Sequence, residues 1–258
     1  MNRIYGHVIR FLLHPSSFIL YKSAVFDRLY VIHCKRLRER RVHLEPALRQ
    51  MGWTAHWVEG HDPHEIEPAV WRERVSGRLK RGEVSVYLKH LAVYRDLAER
   101  GPAVGFVLED DAVFPPGFLA RFAEYRRALP ADFELAFFGA SGGAKVAPLS
   151  GNPLFGRETG SRSVSGYLLT AACAGRLLAE LERRPIARPI DLTINDIVRE
   201  QGLVVYWSVP ALIENGTETG LFEHSLGVHW RQRGFGARLV QGVLARWRGW
   251  MERVRRRH

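Results

Sequence analysis

Short apolar runs alternate along this chain with longer stretches in which apolar residues recur every three or four positions. The runs have the length and the β-branched or aromatic content of strands, whereas the periodic stretches predict helices. The predicted strands cover residues 29–32, 54–58, 103–108, 133–138, 165–170 and 203–207. The predicted helices cover residues 35–51, 83–100, 118–129 and 171–183. Because the chain begins this series with strand, helix, strand, the pattern predicts an α/β fold with a mostly parallel, Rossmann-like sheet flanked by helices.

Residues 144–162 interrupt this pattern. They are rich in Gly, Pro and Ser, and we interpret them as a long functional loop.

Three adjacent carboxylates, Glu109, Asp110 and Asp111, follow the apolar run at residues 103–108. Their mutual repulsion disfavours a purely structural role. A hard cation would relieve it, because Mg²⁺ or Mn²⁺ takes oxygen ligands from one or two carboxylates and from substrate phosphates. The alternative is a solvated acidic turn that caps the next element.

Composition and length are those of an ordinary protein with a sizeable core. The chain has 258 residues, of which 46% are hydrophobic and 25% charged, which suits one large α/β domain or two small ones. The two cysteines, Cys34 and Cys173, form neither a disulfide framework nor a metal-binding pattern. Free thiols fit a reducing compartment, so we expect a cytoplasmic protein.

The net charge of +11 is concentrated at one end of the chain. Residues 229–258 carry nine arginines against the single acid Glu252. Apolar residues, two tryptophans among them, recur at helical spacing from residue 239 to 254, which predicts a basic amphipathic helix. Such a helix suits the surface of an anionic membrane; a helix docked on the domain and a nucleic-acid contact are the alternatives.

We therefore divide the chain into a leader at residues 1–26, a catalytic domain at 27–228 and a basic amphipathic tail at 229–258. The apolar pieces of the leader are too short to span a bilayer. The expected location is cytoplasmic and peripheral, at the inner face of the membrane.

The order of five sequence motifs resembles that of glycosyltransferase family 25, which includes lipopolysaccharide and collagen galactosyltransferases. The motifs are Tyr30-Val31-Ile32 with Arg36, Arg40 and Arg41; Val58-Glu59-Gly60 with Asp62; Gly82-Glu83-Val84-Ser85 leading to His90; Val107 to Asp111; and Gly166 to Thr170 with Pro189-Ile190-Asp191. Two positions depart from the family pattern. His33-Cys34 stands where the family has Asn-Leu, and Lys89 stands where a serine precedes the histidine.

The resemblance implies a GT-A fold and inverting transfer of a hexose, galactose first, from a UDP-sugar to a glycan or lipid-linked acceptor. It also implies Mn²⁺ or Mg²⁺ as cofactor. Asp111 is the first metal ligand, Glu109 faces the nucleotide, and Asp110 could do either. Arg36 and Arg40 lie just past the end of a strand, where α/β sheets bind ligands, and could pair with the donor phosphates or uracil.

An inverting transfer needs a general base for the acceptor hydroxyl. The family's Pro-x-Asp motif points to Asp191, with Asp196 as second choice and a helix-surface carboxylate as its alternative interpretation. His90 is a further candidate, although a histidine on an apolar helix is as readily a core residue.

Weaker candidates are His224 as an imidazole ligand to the metal and Ser141, with Ser163 and Ser165, as donors to the sugar. Two other functions remain open at this point. The same carboxylates could serve a metal-dependent phosphohydrolase, for which His61-Asp62-Pro63-His64 is the nearest ligand cluster. A non-catalytic basic module for nucleic acid is disfavoured, because the charge excess is confined to the tail.

Overall fold

The computed structural model describes residues 26–101, 103–139, 146–157 and 164–223. The helices are α1 (Arg38–Gln50), α2 (Pro68–Arg74), α3 (Arg81–Arg100), α4 (Phe118–Ala128), α5 (Ala171–Arg183) and α6 (Ile190–Gln201). The strands are β1 (Arg28–Ile32), β2 (Ala55–Val58), β3 (Val104–Glu109), β4 (Ala112–Val113), β5 (Leu135–Phe137), β6 (Pro148–Leu149), β7 (Asn152–Gly156), β8 (Gly166–Thr170), β9 (Val205–Ser208) and β10 (Glu214–Asn215).

Eight of these strands form one sheet in the order β2-β1-β3-β8-β5-β9-β7-β6. Strand β1 is parallel to both β2 and β3, and β5 is parallel to β9. Strands β8 and β7 run antiparallel to their neighbours, so six of the eight strands point the same way. The predicted α/β class with a mostly parallel sheet is confirmed, with two reversed strands added.

Both faces of the sheet are covered, as the apolar character of its strands requires. Side chains alternate between the two faces: Leu29 and Val31 pack on the side of α1 and α4, whereas Tyr30 and Ile32 pack on the side of α3, α5 and α6. Helix α1 begins after the turn that follows β1 and ends at Gln50; Met51 is its C-cap, and Gly52 then adopts φ +71°. The β1–α1–β2 unit therefore has the predicted order.

The prediction of a long loop at residues 144–162 is wrong for its central part. Residues 148–156 form the β6–β7 hairpin at one edge of the sheet, and Phe155 is fully buried there. The glycines that suggested a loop serve the hairpin: Gly151 turns with φ +77°, and a Cβ on Gly156 would lie 2.2 Å from the carbonyl oxygen of Ala147. Helices α2 and α6 were not predicted.

Residues 229–258, predicted as a basic amphipathic helix, lie outside the described residues, as does the predicted leader apart from Phe26. In the part of the chain that is described, we find no helix with the length and apolar character needed to cross a bilayer.

Candidate active site

The acidic triplet lies at the carboxyl ends of β1 and β3, where the parallel strands β2, β1 and β3 adjoin the antiparallel strand β8. The backbone N–H of Asp110 donates to the carbonyl of Ile32 at 3.1 Å, which extends the β1–β3 ladder by one bond. On its other side the N–H of Glu109 donates to the carbonyl of Ser165 at 3.0 Å. The backbone of the triplet is thus fixed from both sides.

Asp110 is engaged by neighbours from β1 and α1. Its Oδ1 accepts from Nη1 of Arg40 at 2.8 Å, and its Oδ2 lies 2.8 Å from Nδ1 of His33 and 3.3 Å from the backbone nitrogen of Cys34. All of these groups are donors to an ionised carboxylate. Asp110 therefore holds the site together. Its bonds to these donors leave few acceptor positions for a cation, although the sequence had left Asp110 open as a metal ligand.

Asp111 is held by the turn after β10. Its Oδ2 accepts from the hydroxyl of Thr217 at 2.6 Å, its Oδ1 accepts from Nδ2 of Asn215 at 3.3 Å, and its carbonyl accepts from the N–H of Gly216 at 2.7 Å. Nη1 of Arg40 lies 3.6 Å from Oδ2. One guanidinium thus faces two carboxylates, and negative charge is in excess.

Two carboxyl groups of the triplet, those of Glu109 and Asp111, have raised pKa values. Burial raises the pKa of Glu109 well above its usual range, and repulsion from Asp111, Asp110 and Asp191 raises it further. Burial also raises the pKa of Asp111, against the opposing hydrogen bond from Thr217. Carboxylates in this condition fit a divalent cation, because oxygen ligands and uncompensated negative charge are what Mg²⁺ and Mn²⁺ require. Asp111 and Glu109 are the residues that could hold it.

Two cavities adjoin at the triplet. The first, of about 250 Å³, is lined by the end of β1, the starts of α1 and α3, and all three acidic residues. The second, of about 610 Å³, is lined by the start of α6 and by residues 188–192. They share Val86, Glu109, Asn215 and Glu218. A molecule in each cavity would meet the other across Glu109.

A buried ion pair forms part of the wall of the first cavity. Nζ of Lys89 donates to Oδ1 of Asp62 at 2.7 Å and to the carbonyl of His33 at 2.6 Å, and it lies 3.4 Å from the carbonyl of Val58. The other oxygen of Asp62 accepts from the backbone nitrogen of Lys35 at 3.1 Å. Lys89 thereby joins the ends of β1 and β2 to α3.

The two arginines predicted at the donor site, Arg36 and Arg40, have different surroundings in the structure. Arg36 lines the first cavity, in keeping with its predicted place beside the donor. Arg40 is instead a counter-ion of the triplet: besides Asp110, its Nη2 donates to Thr217 and to the carbonyl of Glu223, both at 3.1 Å. These contacts leave Arg40 as a structural cation where the sequence suggested a phosphate or uracil ligand.

The two candidate bases on α6 are separated. Asp191 lies in the first turn of that helix and lines the second cavity. Asp196 pairs with Arg188 at 2.6 Å and with Arg199, which is the helix-surface arrangement. Asp191 is therefore the aspartate of the two that the structure brings to the triplet.

His90 lies in the core. Its side chain is fully buried, Nδ1 lies 2.7 Å from the hydroxyl of Tyr167, and Nε2 has no hydrogen-bond partner. Burial lowers the pKa of His90 to about 3. A neutral imidazole enclosed in the core corresponds to the core interpretation of this residue.

Ser165 lies beside the site, where its hydroxyl accepts from Nδ2 of Asn215 at 3.2 Å. The other weak candidates, Ser141, Ser163 and His224, fall outside the described residues. Sequence reasoning missed Asn215 and Thr217. The Asn215-Gly216-Thr217 tripeptide is a turn signature that could have drawn attention to them.

A second cluster of potential ligands, Asp62, His64 and Glu65, has its ligand atoms within 4.8 Å of one another. Asp62 already serves Lys89, and Glu65 accepts from the backbone nitrogen of Asp62 at 3.1 Å and pairs with Lys35. The cluster is accounted for by these bonds. It gives no support to the phosphohydrolase alternative.

Comparison with known proteins adds the following similarities. The family model for "Glycosyltransferase family 25 (LPS biosynthesis protein)" matches residues 26–147. The chain is 25% identical over 202 residues to "Probable inactive glycosyltransferase 25 family member 3" of Bos taurus, covering 70% of this chain and 34% of that protein. It is 27% identical over 141 residues to "Procollagen galactosyltransferase 1-B" of Xenopus laevis, covering 48% of this chain and 22% of that protein.

The chain thus spans about a third or less of the length of these relatives. Among solved structures it is similar to a glycosyltransferase involved in the glycosylation of the major capsid of PBCV-1. The TM-score is 0.43 at 10% identity, and the match covers 73% of this chain and 94% of that one.

Proposed function

From the match of the glycosyltransferase family 25 model to residues 26–147, we propose that this chain is a cation-dependent, inverting hexosyltransferase. Its donor is a UDP-hexose, galactose being the first candidate, and its acceptor is a hydroxyl group of a glycan or lipopolysaccharide-type molecule. The GT-A architecture expected from the sequence is part of this proposal.

The observation that carries the proposal is the pair of cavities that share Glu109. Group transfer between two substrates requires that both be held beside one set of charged groups. The first cavity lies at the carboxyl ends of parallel strands, the usual position of nucleotides in α/β proteins. The second contains a carboxylate, Asp191, at the start of a helix.

In the first cavity, Arg36 pairs with the donor diphosphate, and Asp111 with Glu109 holds the cation. A bound divalent cation supplies positive charge at the leaving diphosphate, where negative charge develops. Asp110 and Arg40 keep Asp111 and the end of β1 in place. Because Arg40 pairs with Asp110, the uncompensated negative charge lies on Asp111 and Glu109.

In the second cavity, Asp191 accepts the proton of the acceptor hydroxyl. Asp196 is excluded from the role by its pairing with Arg188 and Arg199.

The test measures donor binding and sugar transfer separately. Calorimetry with UDP and a panel of UDP-hexoses, with and without Mn²⁺, should show cation-dependent binding. Asp111→Asn should abolish the cation dependence, whereas Glu99→Gln, at an exposed carboxylate of α3, should leave it unchanged. Asp191→Asn should keep donor binding and lose about 10²–10⁴-fold in transfer rate.

Three outcomes contradict the proposal. Donor binding that ignores Mn²⁺ removes the cation, and phosphate release from simple phosphoesters without an acceptor favours the phosphohydrolase. Donor binding without transfer to any acceptor would place the chain with relatives named as inactive.

The membrane part of the prediction rests on residues 229–258 alone. We propose that this tail holds the enzyme at the cytoplasmic face of an anionic membrane, where lipid-linked acceptors are presented. Deletion of residues 236–258 should release the protein from vesicles that contain anionic lipid. Unchanged vesicle binding by the shortened protein would refute this placement.

A further inference from the structure

The turn after β10 makes several hydrogen bonds to the charged groups of the site. Gly216 and Thr217 bond to Asp111, and Thr217 and Glu223 accept from Arg40. Asn215 and Glu218 line both cavities. The turn is therefore part of the site, although it lies more than a hundred residues from the triplet in sequence.

The directions of the hydrogen bonds at Thr217 are fixed by chemistry. A guanidinium has only donors, so the bond between Nη2 of Arg40 and Oγ1 of Thr217 uses the hydroxyl oxygen as acceptor. The single hydroxyl proton is then free to point to Oδ2 of Asp111, at 2.6 Å. Arg40 thus sets the orientation of a hydroxyl that donates to Asp111.

The turn leaves part of Asp111 unused. A carboxylate offers about four acceptor positions. Thr217 takes one on Oδ2 and Asn215 takes one on Oδ1. By contrast, Asp110 accepts from three donors, namely Arg40, His33 and the backbone of Cys34. Asp111 is thus both oriented and still able to ligate.

We propose that Thr217 is a positioning residue for the cation: its hydroxyl, oriented by Arg40, holds the Asp111 carboxylate in the conformation that binds the metal. The inference rests on the proposed function for the presence of a cation. Groups that bond to a metal ligand in this way typically contribute about 10–100-fold to metal affinity.

The experiment measures Mn²⁺ affinity by electron paramagnetic resonance, with UDP present, in the full-length protein. Thr217→Val removes the hydroxyl at nearly constant shape and should weaken Mn²⁺ binding at least tenfold. Thr217→Ser restores the hydroxyl and should bring the affinity back to within about threefold of the wild type. Should Thr217→Val fail to fold, Thr217→Ala carries the same expectation.

Thr219→Val is the matched control. Thr219 belongs to the same turn, and its hydroxyl donates to the carbonyl of Gly216 at 3.3 Å, which is a bond within the turn. This variant should bind Mn²⁺ as the wild type does. Equal losses in Thr217→Val and Thr219→Val would reduce Thr217 to an ordinary turn residue and overturn the inference.

Three further outcomes separate the inference from the proposed function. A wild type that binds Mn²⁺ but transfers no sugar refutes the function and leaves the effect of Thr217 measurable. A wild type with no affinity for Mn²⁺, or a Thr217→Val variant with unchanged affinity, refutes the inference.

Discussion

Replacing Lys89 by methionine tests whether the wall of the first cavity depends on a buried ion pair. The side chain of Lys89 is 2% exposed and that of Asp62 is 0% exposed. Methionine fills a similar volume but leaves the Asp62 carboxylate without its cation and removes the donor to the carbonyl of His33.

Removal of one partner from a buried pair costs about 3–5 kcal/mol, because an uncompensated charge remains in the interior. Here the backbone bond from Lys35 to Asp62 survives, so we place Lys89→Met near the lower end, about 3 kcal/mol. For a protein of this size, such a loss lowers Tm by roughly 6–12 °C. Asp62→Asn in the same chain removes the stranded charge and should recover part of the loss.

Urea denaturation of the wild type, both single variants and the double variant measures the coupling directly. Lys35→Met is the matched control, since Lys35 also pairs with a carboxylate, Glu65, but with its side chain 47% exposed. It should leave the unfolding midpoint nearly unchanged. The reasoning fails if Lys89→Met is no more destabilising than Lys35→Met, or if the double variant loses the full sum of the single losses.

Two further perturbations test the core and the turn. His90 has a folded-state pKa of about 3, below about 6.5 in the unfolded chain, so the unfolded state binds the extra proton and stability falls as pH drops below 6.5. Urea midpoints at pH 7 and pH 5 should show the wild type losing about 2 kcal/mol more than His90→Phe over that interval, and parallel pH profiles would contradict this. In Gly216→Ala the new Cβ would lie 2.6 Å from the ring of Phe222 and 3.0 Å from the carbonyl oxygen of Asp111, so we expect a loss of about 1–3 kcal/mol and weaker Mn²⁺ binding. Gly60→Ala, where a Cβ meets nothing within 4 Å, should match the wild type in both measurements; equal behaviour of the two variants would show that the turn yields freely.

The spacing of apolar residues predicted strands and helices that pack against the core along their whole length. The apolar run before the triplet became β3, and the periodic stretch at residues 83–100 became α3, because a strand or helix covered on its core side leaves a clear period. The β6–β7 hairpin escaped prediction, since its Pro and Gly content is that of a loop and only its contact with β9 makes it a strand.

The sequence predicted which residues belong to the site better than it predicted which of them bond to one another. The triplet and Asp191 were found from motifs. The difference between Asp110 and Asp111 was not, because it depends on partners 70 and 106 positions away, Arg40 and Thr217. Adjacent residues at a strand end face different neighbours, and no local pattern records which neighbours the fold brings.

The large sequence separation between Arg40 and its partners affects how the site forms during synthesis of the chain. It bonds to Asp110, 70 residues ahead, and to Thr217 and Glu223, 177 and 183 residues ahead. At a translation rate of about 5–20 residues per second, roughly 5–20 s separate the emergence of the acidic triplet from that of the turn that orients it. A growing chain therefore carries its buried acids for that interval before the turn can dock, and a translation product that stops short of residue 215 would lack the means to fix Asp111.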